Sequence, residues 1–193
     1  LLETLGFHSN RALGKMGGND VPAPNHATLF VNVDETQYLV DTSFLFDSPV
    51  NWDAVNAEGV SSHPASKFRI DRSGSQTMLF WQPLHFPEPI PCELVSYTVT
   101  SDEFDKLHEK SFSTSLFNFA LYSRKNSKDS VVGTCFGSQV TLDSAGRLHR
   151  IPIAEADQKR FLVEKMGYSE EIIAQLPPDD PVPPPIKIKL GLN

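Results

Sequence analysis

The sequence is poor in cysteine, in positive charge and in long apolar runs. Two cysteines in 193 residues, Cys92 and Cys135, allow one bridge at most and exclude a disulfide framework. Both lie in apolar, strand-like stretches, PCELVSYTV and VVGTCFG, where small buried thiols are expected, in a reducing compartment such as the cytoplasm. A net charge of −7 excludes a general phosphate-backbone binder, which needs a basic face, so no nucleic acid partner is expected. No apolar run approaches the ~20 residues of a membrane span, so no membrane partner is expected, and no stretch reads as a signal peptide. His8, His63, His85, His108 and His149 show neither i, i+4 nor C-x-x-C-type spacing, so no metal site is expected. A G-x-S-x-G elbow, a P-loop, a G-x-G-x-x-G fingerprint and internal repeats are all absent.

What is present is enough for a real core: 39% hydrophobic residues, including thirteen phenylalanines. The opening LLETLGF starts mid-pattern, without a cap, and reads as the tail of a helix over Leu1–Leu5 with Gly6 just past its end. HSNRALGKM reads as a short extended segment, followed by the loop GGNDVPAPN. Residues 26–33 and 37–41 are rich in Val, Thr, Leu, Phe and Tyr and predict a hairpin. Phe46 to Ala65 reads as a long surface loop, and KFRIDRSGSQTMLFWQPL as a second hairpin turning at Ser73-Gly74. IPCELVSYTV is a further strand. A helix follows, capped by Thr100 or Ser101, with Asp102 and Glu103 in its first turn. YSRKNSK (122–128) reads as a solvated loop, or alternatively as an anionic cofactor site. Residues 131–137, 139–143 and 147–153 make three short strands, IAEADQKRFLVEKMGY a helix stopped by Gly167, and SEEIIAQL a last short helix. The tail PPDDPVPPPIKIKLGLN holds six of the fifteen prolines and is expected to be extended. About eight strands with helices at both ends indicate an α+β fold around an antiparallel barrel or curved sheet. The expected organisation is a helix remnant plus barrel over 1–100, an α/β lid over 101–175 and a Pro-rich extended tail over 176–193.

One feature of the first hairpin is unusual. PNHATLFVNVDETQYLVDTSF opens on His26 and nearly closes on Asp41. With Glu35-Thr36 at the tip, Phe30 pairs with Asp41, and strand parity puts His26 and Asp41 on one face. They then lie four residues apart along the ribbon, roughly 13 Å at ~3.3 Å per residue, so contact requires a bend, a bulge or another register. The plain alternative is a strand-end histidine in water and an aspartate that begins a turn.

The stretch from His26 through TLFVNVDETQYLVD to Asp41, fifteen residues on and followed by TSF, resembles the arylamine N-acetyltransferases, which carry a strand His and then an Asp in V-D-V-G-F-G. FNFALYSRKNSKDSVV, GSQVTLDSAGRLHR and the ending KRFLVEKMGYSEEIIAQL are similar to that family in layout. The resemblance covers most of residues 1–175 and is patchy over 46–90. It implies a cysteine-protease-like α+β fold, with an antiparallel barrel followed by a small α/β lid and with the N-terminal helical bundle missing. It also implies a two-step transfer of an acetyl group from acetyl-CoA to an arylamine or hydrazine through a Cys-His-Asp triad. In it His26 activates the thiol and Asp41 orients the ring. Phe44 matches the aromatic that lines the acceptor pocket, and Asn126 and Ser127 match polar residues near the cofactor. The family cysteine falls upstream of Leu1, so this chain alone is expected to be inactive. Ser43 and Leu45 stand where the family has glycines, and Lys125 where it has a proline. These departures support the alternative of a non-catalytic binding or interaction protein. A third reading, a barrel for small apolar ligands, predicts no contact between His26 and Asp41.

Overall fold

The computed structural model describes residues 2–46, 48–53, 63–64, 67–84, 86 and 88–181. The chain divides into two compact units: residues 1–83 with 88–112, and residues 84–87 with 113–193.

The first unit is an antiparallel sheet of seven strands: β1 (His8–Met16), β2 (His26–Val33), β3 (Thr36–Val40), β4 (Val50–Asn51), β5 (Phe68–Ser73), β6 (Gln76–Trp81) and β7 (Ile90–Ser96), in the order β4-β3-β2-β1-β7-β6-β5. The strands alternate as half-buried strands must. Thr28 and Phe30 on β2, Thr77, Leu79 and Trp81 on β6, and Cys92 and Leu94 on β7 turn inward. Of these, Phe30, Leu79, Trp81, Cys92 and Leu94 form one core with Ala12, Leu39, Phe44, Val50, Trp52 and Ile70. The sheet curls until its two edges meet through side chains. Arg72, on edge strand β5, donates to the Trp52 carbonyl just past β4 at 2.7 Å and lies over the Trp52 ring at 4.4 Å. Phe46 and Phe68 close the same seam at 4.6 Å.

The centre of the curl is β1, which carries small residues where the ribbon is most crowded. A side chain at Gly14 would bring its Cβ within 2.7 Å of the Cys92 sulfur. At that point the β1–β7 register slips, from Leu13↔Ser96 to Gly14↔Leu94. The extra residue is Val95 on β7, and Gly14, beside the slip, pairs on its other edge with His26, the first residue of β2. Helix α1 (Ser101–Thr114) follows β7 and starts on a reciprocal box: Glu103 N–H donates to the Thr100 hydroxyl, while Thr100 N–H and its hydroxyl donate to the Glu103 carboxylate.

The second unit holds the four-stranded antiparallel sheet β8 (Tyr122–Asn126), β9 (Val131–Cys135), β10 (Ser138–Leu142) and β11 (Leu148–Pro152), in the order β11-β10-β9-β8. Helix α2 (Glu155–Phe161) runs into a π-turn over Leu162–Met166 and stops at Gly167, whose φ of +83° suits glycine. Helix α3 (Glu170–Ala174) follows, capped by the Ser169 hydroxyl. Phe161, Leu162, Met166 and Ile173 pack there with Leu121, Val132 and Leu176.

Several sequence expectations change. The expected helix tail at Leu1–Leu5 is one 3-10 turn over Glu3–Leu5, closed by left-handed Gly6. The expected short segment 8–16 is a full central strand, and the expected loop 46–65 contributes β4. Residues 122–126 form strand β8 rather than a loop, bringing the strands among the described residues to eleven. The second hairpin turns at Gly74-Ser75, one residue later than expected. Of the tail expected to be extended over 176–193, residues 182–193 lie outside the described residues. The part before them is fastened, with Leu121 N–H donating to Asp179 Oδ1 at 2.8 Å and Asp180 N–H to the Phe119 carbonyl at 2.6 Å.

Candidate active site

The first hairpin settles the question raised by His26 and Asp41. Its turn is Asp34-Glu35, with Asp34 left-handed, and the pairing runs from Val33↔Thr36 to Leu29↔Val40. Extended by one residue, this register sets Asp41 against Thr28. His26 is then two positions along, not four, about 7 Å at ~3.3 Å per residue and still on the same face. Side chains cover the remaining gap: His26 Nε2 and Asp41 Oδ2 stand 2.6 Å apart, with 11% and 3% of their side chains exposed. The reading as an apolar-ligand barrel, which required the pair to be apart, is overturned by this contact.

The aspartate is held on both oxygens. Oδ1 accepts from Ser43 N–H at 2.9 Å, from the Ser43 hydroxyl at 2.5 Å and from Phe44 N–H at 3.4 Å. Oδ2 accepts from the imidazole. Burial opposes the charge of Asp41 and by itself would raise its pKa. The hydrogen bond and charge of His26, followed by the hydroxyls of Ser43 and Thr28, outweigh burial and leave the pKa below its ordinary value. Asp41 is therefore a carboxylate at neutral pH. With Nε2–H donating to it, a neutral imidazole has its free lone pair on Nδ1, the nitrogen turned away from Asp41.

Phe44, 2% exposed, lies against the imidazole at 4.9 Å between ring centroids. Its other faces meet Phe46 at 5.2 Å and Trp81 at 5.0 Å. The chain can place both Phe44 and Phe46 in the core because Leu45 between them takes φ +57°, a conformation costly for any side chain but glycine's. Leu45 thus keeps the backbone path a glycine would give and adds an isobutyl group.

Neither cysteine joins this pair. Cys92 and Cys135 are both fully buried. Burial pushes each thiol up to about 12, assisted at Cys92 by the charges of Asp41 and Glu93 and opposed at Cys135 by Arg150 and Arg124. At pH 7 only about one such thiol in 10⁵ is the reactive thiolate.

Asn126 and Ser127 belong to the second unit, at the end of β8. Ser127 N–H closes a tight turn on the Ser130 carbonyl at 2.8 Å. The basic patch around them is largely committed to the fold. Lys125 donates to the Met166 carbonyl at 3.3 Å, Ser123 shares a 2.9 Å hydrogen bond with the Tyr168 hydroxyl, and Arg124 lies over the Tyr122 ring. Sequence reading passed over Thr28 and the Ser43 hydroxyl. Ser43, two residues after an aspartate, was the available signal, since Asp side chains fold back on such positions.

Residues 1–87 match the family described as N-acetyltransferase, a span that includes His26, Asp41 and Phe44 but not Asn126 or Ser127. Over that span, just under half of the chain, the protein resembles the N-acetyltransferase family. About nine tenths of the chain has the fold of the arylamine N-acetyltransferases. It superposes on the Mycobacterium smegmatis enzyme with a TM-score of 0.71 at 22% identity, covering 90% of this chain and 66% of that one. For the Salmonella typhimurium enzyme the values are 0.65, 16%, 90% and 69%. For Mycobacterium marinum arylamine N-acetyltransferase in complex with CoA they are 0.68, 19%, 89% and 66%. The chain therefore spans about two thirds of the length of the N-acetyltransferases it superposes on. No protein with a curated description matches the sequence.

Proposed function

We propose that this chain is the histidine- and aspartate-bearing part of an arylamine N-acetyltransferase-type enzyme, with acetyl-CoA as donor and an aromatic amine or hydrazine as acceptor. The single observation that carries the proposal is the buried 2.6 Å pairing of His26 Nε2 with Asp41 Oδ2. It leaves Nδ1 as the basic nitrogen, and Asp41 fixes the tautomer and offsets the charge of the imidazolium when it forms. The nucleophilic cysteine is neither Cys92 nor Cys135; its sulfur comes from outside this sequence.

In the first half-reaction His26 Nδ1 takes the thiol proton and the thiolate attacks the thioester carbonyl of acetyl-CoA. The bond from that carbon to the CoA sulfur breaks, and the departing CoA thiolate receives the proton back from His26. In the second, the acceptor amine attacks the acetyl-cysteine carbonyl, the carbon–sulfur bond breaks, and the amine proton returns to the cysteine sulfur by way of His26. Phe44, matched by the resemblance to the acceptor pocket, backs that site from behind the imidazole, since only 2% of it is exposed. Asn126 and Ser127 contribute polar groups for the donor. A cytoplasmic location fits a chain with two reduced, buried thiols. Among the described residues no helix is long and apolar enough to cross a membrane.

Leu45 and Lys125 favour the second reading, a binding protein that keeps the fold without the chemistry. Leu45 stands where the resemblance puts a glycine and takes φ +57°, and Lys125 stands where it puts a proline and is tied to the Met166 carbonyl. The deciding experiment is acetyl transfer from acetyl-CoA to a simple arylamine by the complete gene product, run beside this chain alone. Transfer by the complete product, abolished by His26→Ala and absent from this chain, is the expected result. Equal turnover by the His26→Ala protein would refute the assignment.

A further inference from the structure

Asn25 immediately precedes His26, and its side chain does the work of a missing strand. Met16 N–H donates to Asn25 Oδ1 at 2.7 Å, and Asn25 Nδ2 donates to the Met16 carbonyl at 3.2 Å. The Asn25 backbone N–H donates to the Gly14 carbonyl at 3.1 Å. Pairing of β1 with β2 ends at Gly14↔His26, so the carboxamide prolongs the ladder past its last backbone pair. It satisfies both polar groups of Met16, as a paired backbone would.

Met16 is also reached from the other side. Its sulfur accepts the Trp81 indole N–H at 3.0 Å. Trp81 packs on Phe44, and Phe44 packs on the His26 ring. The contacts make a closed circuit: His26 to Phe44, Phe44 to Trp81, Trp81 to Met16, Met16 to Asn25, and Asn25 through the peptide bond back to His26. A ring held only by one hydrogen bond at Nε2 can swing about that bond. The Phe44 face removes this freedom, and the seat of Phe44 depends on the same methionine that Asn25 grips.

We infer that Asn25 is a positioning residue for His26, acting through Met16 and the Trp81–Phe44 stack. The inference rests on His26 being the working base of the proposed reaction, but its test does not use that reaction. Asn25 is exposed, so replacing it deletes nothing from the core. In the ¹⁵N-labelled chain, NMR follows exchange of the His26 Nε2 proton with solvent. Asn25→Ala is expected to speed that exchange about tenfold, the effect of losing roughly one net hydrogen bond's worth of restraint. Met16→Leu, which keeps the volume and removes the sulfur acceptor, should do the same, and it carries the test should Asn25→Ala fail to fold. Exchange within twofold of the parent in a folded Asn25→Ala or Met16→Leu chain overturns the inference, even if melting temperature falls. Loss of acetyl transfer as an activity of the complete product, with the exchange effect intact, would fell only the catalytic reading; unchanged exchange with active enzyme would fell only this one.

Discussion

Replacing Asp41 by asparagine separates the chemistry of the dyad from the architecture that carries it. The two carboxylate oxygens have different tasks. Oδ1 receives the turn donors of Ser43 and Phe44, and Oδ2 receives the imidazole. An asparagine with its oxygen toward the turn keeps all of the Oδ1 bonds and presents an NH₂ to His26. That group can only donate, so Nε2 must accept and the ring proton moves to Nδ1. The nitrogen meant to take a proton then already holds one. The expected loss in turnover is about 10³–10⁴-fold, the scale seen when a triad histidine is held in the wrong tautomer. Stability should fall far less. A charge-assisted bond becomes a neutral one, a change of about 1–1.5 kcal/mol, or roughly 3–6 °C in melting temperature for a chain of this size. Acetyl transfer by the complete product and thermal unfolding of this chain, each with and without the substitution, check the two numbers. Turnover within tenfold of the parent would refute the tautomer argument. A collapse of more than about 15 °C would show that Asp41 holds the loop rather than the ring.

The same substitution has a pH signature. The folded pKa of Asp41 is lowered from 3.8, so its ionised form stabilises the fold fully above the unfolded value and ceases to as pH falls through the folded one. The stability gap between the parent and Asp41→Asn should therefore be constant above about pH 5 and close in acid.

Three further outcomes follow from the packing. Arg72→Ala removes both the bond to the Trp52 carbonyl and the ring contact that join the sheet edges, and should cost about 2 kcal/mol, read as a melting temperature lower by roughly 4–8 °C; Arg72→Lys should recover less than half, since an ammonium cannot both stack and donate in that fork. Leu45→Gly should be at least as stable as the parent while Leu45→Val is about 1–2 kcal/mol less stable, because φ +57° is free for glycine and worst for a β-branched residue; the reverse order in thermal melts would contradict the strained geometry. Cys92 and Cys135 should resist a thiol reagent at pH 8 in the folded chain and react promptly in denaturant, and fast labelling of either in the native state would reopen it as a nucleophile.

The fold class was legible because alternation is a local signal. Thr77, Leu79 and Trp81 announce β6 with no knowledge of its neighbours, and the same holds for the hairpin at His26. Strand β8 was not legible for the same reason. YSRKN has few apolar residues, and what makes it a strand is β9 alongside it and the Met166 carbonyl that takes its lysine. Strand β4 is two residues long and exists only because β3 offers an edge. Neither β8 nor β4 has a period of its own to read.

The site shows what kind of error a sequence argument can survive. The expected tip Glu35-Thr36 and the observed tip Asp34-Glu35 differ by one residue, which shifts every cross-strand partner by two. A shift of two returns each side chain to the same face, so the judgement that His26 and Asp41 share a face was protected by the period of the strand. Their separation had no such protection, because distance along a ribbon changes with every step, and 13 Å became about 7 Å. The rest lies in conformations no residue name encodes: the positive φ of Leu45, the β7 bulge opposite Gly14, and the carboxamide of Asn25 standing in for a strand. Residue type and spacing identify who can do the chemistry; these backbone details, set by neighbours far along the chain, decide whether the two groups meet.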